Sequence, residues 1–293
     1  MGNLIADLKL FVKEGGESLI LKHDFHKGDD FLEGYRIVSR EEIGAVIEFF
    51  ASTEEDRIDS DVFEYNYDPV DLDEIRSSLS IHSTSDKDVS DMARIFDTQI
   101  GDCHWLDAIA TCQMNDQLTI TEDTYATTLT PKLLEKYSAD CFPFASTEAL
   151  KLVCAEPSIF GINLSGLTEL PDEAARLFTG EYDLNLSGLK TISDEAAEGL
   201  TRHTGSLDLS GLETLSLHAA EFLAKHNGSL YLGGLTEISD EVAQALSKHH
   251  GTLTLTGLTS LSDTAAEALS KHDGEVELSS FEDEEAEADD EDE

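Results

Sequence analysis

Near the C-terminus one pattern is written five times, and it constrains this chain more than anything else in the sequence. From Ile162 to Leu278 the common pattern is apolar-x-Leu, a small residue, Gly-Leu, two polar residues, an apolar residue, Ser-Asp, an Ala-rich run, Lys-His and Gly. The glycine before leucine stands at Gly166, Gly188, Gly211, Gly234 and Gly257, at spacings of 22, 23, 23 and 23 residues. A unit that short cannot bury an apolar face alone, so neighbouring copies must stack and share one core. The pattern therefore predicts a solenoid.

Within one copy, Leu207 and Leu209 flank Asp208 in the period-2 signature of a strand with one buried face. The counterparts are Ile162/Leu164, Leu184/Leu186, Leu230/Leu232, Leu253/Leu255 and Val276/Leu278. Glycine then allows a turn or a close backbone approach, and Leu167, Leu189, Leu212, Leu235 and Leu258 return to the core. Ser193, Ser239 and Ser262 are expected helix N-caps, and Asp194-Glu195, Asp240-Glu241 and Asp263 place negative charge beside the unpaired N–H groups of the first turn. Ala196, Ala197 and Leu200, like Val242, Ala243 and Leu246, supply the apolar stripe. Arg202-His203, Lys225-His226, Lys248-His249 and Lys271-His272 are read as cations at the negative helix end, with Gly205, Gly228, Gly251 and Gly274 as C-cap residues. The first copy is one residue short, with Pro171 in the serine position, and the last ends after Leu278 with Ser280 in the glycine position.

Residues 158–280 resemble the leucine-rich-repeat family, whose coils have the same length range and also begin with a short Leu-x-Leu strand. Gly-Leu stands where that family usually carries an asparagine after the strand. The resemblance implies a recognition scaffold for a protein or other ligand, with no catalysis of its own. The expected fold is α/β: a short solenoid of parallel strands and helices behind an N-terminal mixed α/β domain. The domains are read as residues 1–140, a solenoid cap over 141–157, coils over 158–280, and an acidic tail over 281–293.

The chain carries 62 acidic against 19 basic residues, a formal charge of −43, and ten of its last thirteen residues are acidic. Such a surface repels nucleic acid and anionic lipid, so neither is an expected partner. Three readings of the charge stand: a surface suited to high ionic strength, attraction to a basic protein partner, and mimicry of nucleic acid that inhibits a DNA- or RNA-binding protein. Cys103, Cys112, Cys141 and Cys154 lie before the coils without any C-x-x-C spacing, which argues against zinc. The start has no cationic n-region with an apolar core, and no run approaches membrane-spanning length, so a cytoplasmic protein with reduced thiols is expected. Asn-x-Ser triplets at Asn163, Asn185 and Asn227 then carry no glycan.

The first half reads as alternating elements. A short helix is expected over 4–13, ended by Gly15-Gly16, then strands at 18–22 and 35–38 with a polar loop from His23 to Gly34 between them. Ser39-Arg40-Glu41-Glu42 forms a capping box before a helix over 40–51. Further on come a strand at 62–67, helices over 71–79 and 88–96, strands at 105–112 and 118–121, and helices from Pro131 through Tyr137 and over 147–153. This half resembles no family.

The expected binding face is the row of residues at the strand centres: Asn185, Asp208, Tyr231, Thr254 and Glu277. Six strands at about 4.8 Å spacing would present a face some 24 Å wide, with Tyr231 as its aromatic anchor. His203, His226, His249 and His272 should stack as a file, suited to anions, metal or pH sensing but also to plain helix capping. Asp56, Asp59, Asp61 and Glu64 lack the glycine of an EF-hand loop and read as a solvated loop. No nucleophile elbow, P-loop, dinucleotide fingerprint or His-Glu-x-x-His helix occurs, and Cys103-His104 alone nominates no nucleophile. No catalytic residue, metal site or cofactor is assigned. The main reading is a protein-recognition scaffold, and its rival is an enzyme with an N-terminal catalytic domain and the solenoid as adaptor.

Overall fold

Asn3 opens the first helix by accepting a hydrogen bond from the Ala6 amide, and α1 (Leu4–Lys13) buries Leu4, Ile5, Leu8 and Val12 along one face. The structure, a computed structural model, describes residues 3–27, 30–51, 78–95, 109, 120–158 and 160–278. Backbone contacts divide the chain into two units, Met1–Leu170 with Asn185–Gly188, and Pro171–Leu184 with Leu189–Glu293.

In the first unit, β1 (Ser18–Lys27) and β2 (Asp30–Ser39) pair antiparallel along their whole length, from Ser18↔Ser39 to Lys27↔Asp30. Of the segment expected as a polar loop from His23 to Gly34, residues 23–27 and 30–34 are instead the outer part of these two strands. Apolar pairs such as Leu19↔Val38 set the register. Once it is set, backbone hydrogen bonds carry the ladder outward whatever the side chains are. The capping box forms as read: Ser39 Oγ accepts from the Glu42 amide at 3.4 Å, while Glu42 Oε2 accepts from the Ser39 amide at 2.8 Å. From it runs α2 (Arg40–Ala51), burying Ile43, Val46 and Ile47.

β3 (Leu79–Ser83) joins β1 antiparallel, so Leu79 begins a strand and does not end a helix. Next come α3 (Asp86–Ile95), β4 (Thr128–Leu129), the single turn α4 (Pro131–Leu134), β5 (Phe144–Ala145) parallel to β4, and α5 (Thr147–Ala155). Ile109, expected in a strand, is helical and buried. Ile120 and Thr121 are outside regular structure. Tyr137 lies beyond α4, fully buried. The expected strand at 62–67, the Asp56–Glu64 carboxylates and Cys103-His104 lie outside the described residues.

The repeats form a six-stranded parallel sheet in consecutive order: β6 (Ile162–Asn163), β7 (Leu184–Asn185), β8 (Leu207–Asp208), β9 (Leu230–Tyr231), β10 (Leu253–Leu255) and β11 (Val276–Leu278). Between them run α6 (Asp172–Ala175), α7 (Asp194–Leu200), α8 (Leu217–Leu223), α9 (Asp240–Leu246) and α10 (Asp263–Leu269). Leu207, Leu209, Leu212 and Leu223 of one coil are fully buried, each contributing roughly 1.5–3 kcal/mol by leaving water. Ser193, Ser216, Ser239 and Ser262 all cap their helices, accepting from the amides of Ala196, Ala219, Val242 and Ala265. Pro171 offers no side-chain acceptor, and the helix after it is only one turn long.

The cap serines also bridge coils. Ser193 Oγ donates to Asp172 and Ser216 Oγ to Asp194, both at 2.5 Å, and Ser262 Oγ donates to Asp240. Ser193, Ser216 and Ser262 thus each serve their own helix and the one before it.

The glycines after the histidines, expected as C-cap residues, lie beyond the actual C-caps Thr201, Ala224, Ser247 and Ser270. Of the four only Gly228 has positive φ. What requires glycine is proximity: a β-carbon on Gly205 would lie 2.0 Å from the Tyr182 carbonyl oxygen, and one on Gly251 2.0 Å from that of Gly228. Backbones of successive coils touch there, and no side chain fits between them.

Candidate functional site

Register alignment places Asp208 opposite Tyr231, Tyr231 opposite Thr254, and Thr254 opposite Glu277. The four therefore form one straight row across β8 to β11, about 4.8 Å apart from strand to strand. Asn185 holds the same position in the Leu-x-Leu triplet of β7. A carboxylate, a phenol, a hydroxyl and a second carboxylate follow one another along the row.

The row is less open than the sequence implied. Asn185, Asp208 and Tyr231 are half-buried, Glu277 is exposed, and Thr254 is buried at 8 % exposure. Thr254 was expected to face solvent, but it is buried and its hydroxyl donates to Glu277 Oε2 at 2.9 Å. It positions the carboxylate.

Asn185 and Asp208 carry a second duty. Asn185 Oδ1 accepts from the Ser187 amide at 2.9 Å, and Asp208 Oδ1 accepts from the Ser210 amide at 2.9 Å. Asn163 does the same for Ser165 at 3.1 Å. These side chains turn the chain out of each strand, the task that asparagine and aspartate perform best. Coil four departs from the pattern. Tyr231 has no acceptor to offer there, and Gly233 follows it, where a β-carbon would sit 3.1 Å from Thr256 Oγ1 and 3.9 Å from Ser210 Oγ.

The histidine file is present and is unlike the cationic helix ends expected from sequence. His203, His226 and His249 are buried at 0–1 % exposure, with ring centroids 5.6 Å and 6.1 Å apart along the series, and His272 follows at 5.9 Å. Burial pushes the first three below the usual imidazole range, His226 to about 4, and the rings on either side lower it further. They are neutral at pH 7. The helix-end attraction for a cation, a kcal/mol at most on a surface, loses to desolvation.

Sequence reading missed a buried polar cluster in the first unit. Glu48, with no exposed surface, accepts from Thr124 Oγ1 at 2.9 Å and Tyr137 OH at 2.8 Å, and pairs with Lys136 Nζ at 2.9 Å. Burial acts to raise its pKa, but the bonds from Lys136, Tyr137 and Thr124 prevail and hold it below the ordinary carboxylate range. All three partners lie between 76 and 89 residues away in sequence, so no local signal marks the cluster.

Cys141 is buried and Cys154 half-buried, and burial pushes the Cys154 thiol up to about 11. Such a thiol is a poor nucleophile at pH 7. Among the described residues no three His, Cys, Asp or Glu side chains are placed to hold a metal ion, and no helix is long and apolar enough to cross a membrane. No protein-family description, curated protein or solved structure matches the chain.

Proposed function

We propose that this chain is a protein-recognition scaffold of the leucine-rich-repeat kind that takes a basic, extended segment of a partner protein across its strand row. The observation that carries this is the register: Tyr231 stands between Asp208 on one side and the Thr254–Glu277 pair on the other. An arginine of the partner would stack its guanidinium on the phenol ring and pair with a flanking carboxylate, geometry that a planar fork suits better than an ammonium does. The absence of basic residues from the row and the formal charge of −43 favour a cationic partner at long range.

Titration of the full chain with an extended oligo-arginine peptide tests the reading, with the double variant Asp208→Asn/Tyr231→Ala as comparison. Asparagine keeps the acceptor for Ser210, so the coil stays intact. One charge among so many leaves diffuse attraction unchanged. A loss of about tenfold or more in the double variant, equal to ~1.4 kcal/mol, supports the row as the site, and unchanged affinity rejects it.

A further inference from the structure

We propose that the histidine file is an acid-operated lock on the coils: neutral stacked rings hold neighbouring coils together, and their protonation parts them. The geometry gives a charged ring nowhere to go. His226 lies between His203 and His249 with interplanar angles of 25° and 15°, and no nitrogen of His226 or His249 makes a well-formed hydrogen bond. His203 Nδ1 is also unpartnered, while its Nε2 lies 3.2 Å from the Ser206 carbonyl oxygen.

The surroundings do not compensate a charge. The Tyr182 ring covers the outer face of His203 at 5.0 Å, and among the described residues Asp183 is the one carboxylate acting on the three shifted rings. Backbone groups of Gly205 beside His226, and of Gly228 and His226 beside His249, oppose the shifts without overcoming burial, while His272 and His250 add to that of His249. Arg202, Lys225, Lys248 and Lys271 each precede a ring of the file. A protonated ring must reach water. Because the following glycines hold successive backbones in contact, it reaches water only if coils separate. Each departure removes a stacking partner from the next ring, so opening spreads along the file.

The direction follows from linkage. The folded values lie below the 6.5 of the free side chain, so the opened state binds more protons below that pH, and stability falls as pH drops from 6.5 towards about 4. For His226 alone the opening constant rises about 30-fold between pH 7.5 and 5, and about 300-fold at saturation. Relief of self-repulsion in so acidic a chain works the other way over the same range. Loss of stability in mild acid therefore distinguishes the file from general charge effects.

His23, in β1, is also shifted down by burial, so the readout must be local. The amides of Leu209 and Leu232 donate to the carbonyls of Tyr231 and Thr254 across the sheet and report coil separation directly. Hydrogen exchange of the full chain at pH 7.5 and 5.0, corrected for intrinsic rates, should show their opening constants rising about 30-fold or more. His226→Phe and, separately, His226→Leu should flatten that dependence. Opening constants that stay level or fall in the unaltered chain overturn the proposal, as does an unchanged pH dependence in either folded variant. If both variants fold poorly, the unaltered chain alone decides, because charge relief predicts the opposite sign.

Discussion

Lys9 Nζ sits 3.6 Å from the centroid of the Phe142 ring, with no exposed surface and no hydrogen-bond partner. Burial lowers its pKa to about 8; Cys141 and the Glu48 carboxylate oppose the shift, and the Lys136 ammonium adds to it. The ring face returns part of the lost hydration, but a buried unpaired ammonium is costly. Lys9→Met, which keeps length and apolar contacts, is expected to stabilise the chain by about 1–3 kcal/mol at pH 7 in urea unfolding. The folded value lies below the unfolded 10.5, so stability of the unaltered chain rises from about pH 8 to 10.5. The advantage of the variant shrinks over that window, and a constant difference at both ends would refute the assignment.

Two glycines separate close approach from backbone strain. A β-carbon on Gly257 would lie 2.0 Å from the Gly233 carbonyl oxygen, whereas Gly15 has φ +90° and open space around it. Gly257→Ala must push coils apart and should cost about 2 kcal/mol or more. Gly15→Ala strains only its own backbone, at about 1 kcal/mol. Denaturant midpoints of the two variants give the order.

The ladder of cap serines lacks the rung at Ser239. Leu217 occupies the helix position that Asp172, Asp194 and Asp240 fill in other coils, and it is 39 % exposed. Leu217→Asp supplies the missing acceptor and a first-turn charge. It should stabilise by about 0.5–1 kcal/mol, read as a raised melting temperature. No gain would mean that the rungs contribute nothing.

Asn185 tests the division between turn and binding. Asn185→Ala leaves the Ser187 amide without its acceptor and should cost about 1 kcal/mol. Asn185→Asp should recover most of that, because an aspartate oxygen accepts the same bond. Equal losses in both variants would show that the turn does not depend on this side chain.

What the sequence determined by itself is what neighbouring residues determine together. Leu-x-Leu spacing, serine caps, the capping box at Ser39 and the 23-residue period all act within one turn, one strand or one coil, and each element they predict is present where the residues are described. The tertiary structure decided what depends on surroundings. Lys-His at a helix end reads as two cations until the ring is found stacked and dry between two others. Thr254 reads as an exposed hydroxyl until Glu277, 23 residues on, takes its proton donor. The polar half of the first hairpin and the Glu48 cluster follow the same rule. Desolvation and long-range pairing are properties of the folded neighbourhood, and no window of sequence contains that neighbourhood.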